Sequence, residues 1–220
     1  MRLLKKLKAR LFASQLRKPG FLFGKKTGLQ MNAANEFLYD FTLNTMQLKE
    51  GESLLEIGFG NGKFFKKIFS KSKNLKVTGI DYSSEMLREA RKKNQYMINN
   101  GSLYLLKASS SSMPLDSESF DKIFCINVIY FWDDPAEHLA EVYRVLKPGG
   151  KFYTVIRSKE VMSKAPFTKY GFTFYSEAEW LSILVSAGFN NMVTHIINEP
   201  TVNHKGKEYT LQSYCFESLK

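Results

Sequence analysis

The chain has 220 residues, 44% of them hydrophobic and 24% charged, the composition of a folded domain with one substantial core rather than of a disordered or fibrous chain. No apolar run approaches the ~20 residues that a membrane-spanning helix needs, and the two cysteines, Cys125 and Cys215, sit in apolar strand-like runs as small buried side chains rather than as a disulfide, metal ligands or a nucleophile. The net charge of +11 is unevenly placed: Arg2, Lys5, Lys6, Lys8, Arg10, Arg17, Lys18, Lys25 and Lys26 precede the first acid, Glu36, which leaves the other 194 residues at only +2.

Residues 1 to 27 therefore read as a basic extension. Charges interrupt any apolar segment in MRLLKKLKARLF, so it does not read as a secretory signal, and a reducing cytoplasm fits. Leu3, Leu4, Leu7 and Leu11, with Phe12 beside them, share one helical face, and Lys5, Lys6, Lys8 and Arg10 cover much of the rest. That is the pattern of a helix lying on an anionic membrane through residues 1 to 18. A basic arm docked on its own domain, or one bound to nucleic acid, gives the same charge pattern. Nucleic acid ranks second to the membrane, because no RNA-binding module accompanies the arm. Residues 28 to 50 form a helical segment between this arm and the main domain, residues 51 to 220.

From residue 53 onward strand-like and helix-like segments alternate, the pattern of an α/β domain with a mostly parallel sheet. SLLEIGF, 53 to 59, is a first buried strand, followed by a helix over about 62 to 69. KVTGID, 76 to 81, is a second strand. The next helix opens at Ser83 or Ser84 and buries Met86, Leu87, Ala90 and Met97 or Ile98. SLYLLKA, 102 to 108, and FDKIFCINVIYF, 120 to 131, are the third and fourth strands. Asp134 then Pro135 caps a helix carrying Leu139, Val142, Tyr143 and Leu146, stopped by Pro148, Gly149 and Gly150. GGKFYTVI, 149 to 156, is the fifth strand. Ser176 and Glu179 form a capping box for a helix with Trp180, Ile183, Leu184 and Ala187 on one stripe, closed by Gly188. Two more strands, 190 to 198 and 209 to 218, have no helix between them. A parallel crossover needs a dozen or more residues, so the last strand is expected to run antiparallel.

The chemistry gathers at LLEIGFGNGKF, residues 54 to 64. Three glycines between a strand and a helix allow a sharp turn and close approach of a ligand to the backbone. A dinucleotide fingerprint fails here, because counting G-x-G-x-x-G from Gly58 ends on Lys63. The spacing is instead E-x-G-x-G-x-G. Glu56 beside a pyrophosphate would be repulsive and beside an ammonium attractive, so the ligand should carry positive charge. Asp81, at the end of the second strand, is placed to accept two ribose hydroxyls.

Together with VTGIDYSSEML (77 to 87), SSSSMPLDSESFD (109 to 121), NVIYFWDDP (127 to 135) and YRVLKPGG (143 to 150), this stretch resembles the class I methyltransferases of the methyltransferase type 11 group, in consistent order across roughly residues 50 to 190. GLQMNAANEFLYDFTLN, QLRKPG and YFWDDP are similar to a small bacterial branch of that group. The resemblance implies a Rossmann-like, doubly wound sheet of seven strands in the order 3-2-1-4-5-7-6, and S-adenosyl-L-methionine as cofactor. Gly58, Phe59, Gly60 and Gly62 would line the methionine moiety and Glu56 would meet its ammonium. Asp81 would hold the ribose, and Tyr82 and Met86 would flank the adenine. Ser109 and Ser110 align with a pair whose first member is commonly an Asp binding the adenine amine, and Asn127 aligns with a cofactor contact made mainly through backbone. Met31, Asn32 and Asn35 would cover the cofactor as a lid, or belong to a docked helix.

Methyl transfer from a sulfonium is an in-line displacement that needs alignment and exclusion of water rather than a metal. His138, His195 and His204 show no ligand spacing. Tyr130, Phe131 and Trp132 follow the fourth strand at the rim where an acceptor would sit. Tyr130 takes a place where relatives often carry a His, which makes it the candidate to orient or deprotonate a nucleophile; the three rings would otherwise pack under the next helix. NVIY stands where enzymes acting on nucleobases or protein amides often carry N-P-P-Y. The expected acceptor is a small organic molecule, lipid-soluble if the arm lies on a membrane. RNA methylation, and cofactor binding without turnover, are the alternatives.

Overall fold

The computed structural model describes residues 2–20, 24–204 and 207–220. Two helices lead in, α1 (Arg2–Arg17) and α2 (Gly24–Met46), and α2 runs across the position between 27 and 28 where composition placed a boundary.

The sheet is built from β1 (Ser53–Ile57), β2 (Lys76–Asp81), β3 (Leu103–Lys107), β4 (Phe120–Ile126), β5 (Leu146–Arg157), β6 (Asn190–Asn198) and a last strand at Gln212–Leu219. Between the last two lies a small antiparallel pair, β7 (Val202–His204) and β8 (Lys207–Tyr209), so the last strand is β9. The sheet order is β3-β2-β1-β4-β5-β9-β6. The first five strands pair in parallel, whereas β9 is antiparallel to both β5 and β6. This is the doubly wound order that the family resemblance implies.

Alternate residues along each central strand supply opposite faces. Leu54 and Phe124 join Leu38, Leu43 and Met46 of α2, Phe65 and Ile68 of α3 (Phe65–Phe69) and Ala90 of α4 (Ser84–Lys93) in one apolar layer. Leu55, Ile123 and Cys125 join Leu139, Val142 and Val145 of α6 (Pro135–Val145) and Trp180 and Leu184 of α7 (Glu177–Ser186) in the other. Each fully buried Leu, Ile or Phe contributes about 1.5–3 kcal/mol, so covering the sheet on both faces is what fixes its register. Both cysteines are free and buried, and burial raises both thiols, Cys215 to about 12.

Helix ends follow the written signals. Asp134 accepts a hydrogen bond from the Ala136 N–H at 2.9 Å, and Ser176 and Glu179 close a reciprocal capping box. Four expectations need correction. The helix predicted through residue 98 breaks at Asn94, whose side chain donates to the Gly62 carbonyl at 2.9 Å and the Ala90 carbonyl at 2.8 Å; α5 (Gln95–Asn99) follows as a separate turn. The fourth strand ends at Ile126, because Asn127 adopts a left-handed φ of 57° and a short 3-10 turn (Ile129–Phe131) begins. Leu146 belongs to β5 rather than to α6, and the final strand starts at Gln212 rather than at 209.

A cofactor-sized cavity at the strand tips

The carboxyl ends of β1, β2 and β4 open into a cavity of about 560 Å³, within the size range of small-molecule sites. The turn after β1 is shaped by its glycines. A Cβ at Gly58 would stand 2.5 Å from Val128 Cγ2, and one at Gly62 2.7 Å from both Ala90 Cβ and Asn94 Nδ2. Gly60 faces open space, with φ at 58°. Two of the three glycines therefore serve close packing and the middle one leaves room for a ligand.

Asp81, half-buried at the tip of β2, accepts the Gly60 N–H at 2.9 Å on one oxygen and the Ser83 N–H at 2.8 Å on the other. Each oxygen keeps a second lone pair. Burial raises this carboxyl to about 6 against those two hydrogen bonds. Glu56 lies deeper, 2% exposed, and the Tyr39 hydroxyl donates to it. Burial is the main reason that it rises to about 8, opposed by the Tyr39 hydrogen bond and reinforced by the charge of Asp81. Among the described residues neither acid has a cationic partner. Tyr39 lines the cavity while Glu56 does not. The phenol, stacked on Phe64 with ring centroids 3.8 Å apart, thus stands between the acid and the space.

Of the residues singled out from sequence, Gly58, Phe59, Gly60, Asp81, Tyr82 and Met86 reach the wall, as do Ser109, Ser110 and Asn127. Phe131 and Trp132 do as well, and Met31, Asn32 and Asn35 of α2 close the cavity from above. Asn127 donates from its amide to Asn35 Oδ1 at 2.9 Å, tying β4 to that helix. Gly62 is turned toward α4 and is not on the wall.

Tyr130 requires correction. It is 2% exposed, its hydroxyl accepts the Arg157 N–H at 2.6 Å, and it lies 3.1 Å from both the Arg157 carbonyl and Asn127 Oδ1. Burial pushes its ionisation far up. A phenol committed to backbone and held neutral is not a proton acceptor, and it does not reach the cavity wall. The reading in which the ring packs under neighbouring elements holds for Tyr130.

Sequence reasoning missed three wall features. One is Tyr39. A second is His138, whose ring stacks on Trp132 with centroids 4.6 Å apart and planes 3° apart, and whose Nδ1 is 2.7 Å from Ser110 Oγ. Burial lowers the proton affinity of His138 despite Asp133 and Asp134 nearby. The third is the end of α1: Leu16, Arg17 and Pro19 line the cavity. Arg17 pairs with Asp133 at 2.5 Å, Ser83 Oγ donates to the Pro19 carbonyl at 2.7 Å, and Lys18 Nζ lies 4.2 Å from the centre of the Tyr82 ring.

The donor and acceptor set suits S-adenosylmethionine. Two acids without cations, one buried and one half-buried, favour a positively charged ligand, Asp81 has free lone pairs for a diol, and the opening at Gly60 admits a chain against bare backbone. Comparison with known proteins agrees. The family model described as a methyltransferase domain matches residues 55–154. A methyltransferase of Bacillus subtilis (strain 168), YdaC, itself uncharacterised, is 30% identical over 142 residues, 64% of this chain and 76% of that one. A solved SAM-dependent methyltransferase from Aquifex aeolicus is 26% identical at a TM-score of 0.62, covering 82% of this chain and 88% of its own. A chain of the complex between the Haloferax volcanii Trm112 methyltransferase activator and a methyltransferase shares the fold at a TM-score of 0.78 and 20% identity, covering 94% of this chain and 96% of its own.

Proposed function

The chain belongs to the class I S-adenosylmethionine-dependent methyltransferases, and on that premise we propose that it methylates a small, weakly polar organic acceptor. The observation that carries the cofactor part of this reading is the pair of acids, Glu56 buried and Asp81 half-buried, left without cations among the described residues beside a cavity of about 560 Å³. When bound, S-adenosylmethionine supplies a methyl group on a positively charged sulfur. Asp81 accepts the ribose hydroxyls on its free lone pairs, and the turn at Gly60 leaves space for the amino-acid tail. Glu56 supplies negative charge under that turn, with Tyr39 as its neutral partner. Tyr82, Met86, Ser109 and Ser110 form the nucleobase side.

The acceptor space lies toward Met31, Val128, Phe131 and Leu16, which are apolar and favour a substrate of limited polarity. With Tyr130 turned away, these residues hold and align the acceptor and exclude water. RNA ranks second as acceptor, because outside the first 26 residues the chain carries only +2, little for tracking phosphates.

Incubating the purified protein with methyl-labelled cofactor and fractionated cell extract tests the reading. Label in a metabolite or lipid fraction supports it, and label in RNA overturns the acceptor class. Cofactor binding by calorimetry with no label transferred to any fraction would make it a binding protein without turnover.

A further inference from the structure

Helix α1 has two opposite faces with different fates. At about 100° per residue, Leu4, Leu7 and Leu11 share one side and Ala13 lies roughly across the axis from them. Ala13 is 2% exposed, whereas the three leucines are 63%, 58% and 57% exposed. Phe12 meets Phe167 edge-on, with centroids 5.1 Å apart, on the docked side. Lys8 and Arg10 lie about 70° and 90° to either side of the leucine stripe and Lys5 and Lys6 about 130° from it; all four are exposed, and the helix contains no acid. Folding has thus left a row of leucines pointing away from the protein with a cation on each side and two more further round the helix. The C-terminal end of this helix then walls the cavity through Leu16 and Arg17, joined by Pro19 just beyond it.

We propose that the outward face of α1 docks on an anionic lipid bilayer, and that docking acts on the cofactor cavity because the same helix closes one side of it. An apolar stripe with a cation on each side matches the boundary between headgroups and acyl chains. Phosphates of RNA would use the cations and leave the leucines without a partner. Arg17–Asp133 and Pro19–Ser83 are the two latches through which a shift of α1 reaches the wall. The docking stands by itself, while the coupling rests on the cofactor assignment. Linkage makes the coupling reciprocal: whatever factor vesicles apply to cofactor affinity, cofactor applies to vesicle affinity.

Flotation of the full chain with vesicles containing phosphatidylglycerol, against vesicles of phosphatidylcholine alone, tests the docking. Co-flotation with the anionic vesicles only is expected, weakened at least ~10-fold both in Leu4→Ser/Leu7→Ser/Leu11→Ser and in Lys5→Gln/Lys6→Gln/Lys8→Gln. Cofactor affinity of the leucine variant without vesicles should stay at the parent value, which shows that it is folded. No flotation, flotation that ignores the leucines, or a salt-sensitive RNA shift in place of flotation overturns the docking. For the coupling, calorimetry of cofactor with and without anionic vesicles should differ at least ~3-fold in the parent and not in Arg17→Ala, which still floats. Equal affinities in the parent overturn it. Failure of the parent to bind cofactor either with or without vesicles sinks the cofactor assignment and leaves the flotation result standing.

Discussion

The two ends of the parallel strands treat acids in opposite ways. Where the strands begin, each acid has its own lysine: Glu52 with Lys122 at 2.7 Å, Asp121 with Lys147 at 2.7 Å and Glu217 with Lys151 at 2.5 Å. Burial pushes Asp121 up, yet Lys147, the Ser53 N–H and Lys122 together hold it below its ordinary value. Where the strands end, Glu56 and Asp81 are raised to about 8 and about 6, with burial as the largest cause. One end pairs these acids within the fold, whereas at the other Glu56 and Asp81 stay without cations among the described residues beside the cavity, unlike Asp133, which pairs with Arg17.

The contrast breaks most visibly by removing one acid from each end. Glu52→Gln leaves Lys122, 8% exposed, without its counter-charge and should cost about 3 kcal/mol of stability in denaturant unfolding with cofactor affinity unchanged. Glu56→Gln paired with Asp81→Asn should do the reverse. Calorimetry should show cofactor affinity lowered ~10-fold or more, as loss of the charge-assisted hydrogen bonds at Asp81 implies, with unfolding stability equal or higher. A double variant that unfolds like Glu52→Gln would erase the distinction.

Acidity sharpens the comparison next. The folded-state values of Glu56 and Asp81 lie above their ordinary 4.5 and 3.8, so between those values and about 8 and about 6 the folded chain binds more protons than the unfolded one. Ligand-free stability should therefore fall as pH rises through that window. Glu56→Gln should flatten the upper part of the profile. Because a cationic ligand favours the ionised acids, titrating cofactor near neutral pH in buffers of different ionisation enthalpy should reveal proton release.

The glycines give a smaller effect. Gly62→Ala adds a contact at 2.7 Å to a left-handed backbone and should cost well over the ~1–2 kcal/mol of the backbone penalty alone. Gly60→Ala, with open space around it, should cost about that penalty and weaken cofactor binding. Smallest is Ser109→Asp: if Ser109 faces the nucleobase amine, exchanging a neutral for a charged acceptor should tighten binding by ~1 kcal/mol, about fivefold. Unchanged or weaker binding in calorimetry would count against that alignment.

What could be read from sequence was local. The α/β class followed from segment alternation, the antiparallel last strand from the short β6 to β9 connection and the strand order from the family resemblance, and the caps at Asp134 and Ser176 are spelled in neighbouring residues. The cavity wall was legible where side chains sit on strand tips, as at Asp81 and Gly60. It was not legible where the partner lies far along the chain. Nothing near residue 39 announces that its hydroxyl will meet Glu56, and Arg17 lies 116 residues from Asp133. Tyr130 was misread for a related reason. Its position in sequence is next to the rim, but the left-handed turn at Asn127 swings the ring inward onto the Arg157 backbone.

The Asn94 break carries a consequence beyond this chain. Its amide holds the Gly62 carbonyl while Ala90 fills the space beside that glycine, so three positions in two separate segments share one small volume. Their histories should be joined. Among descendants of a common ancestor, a larger residue at 62 is expected only in lineages that have also shortened or replaced 90 and 94, and pairwise substitution statistics should pick out this trio without any ligand being known.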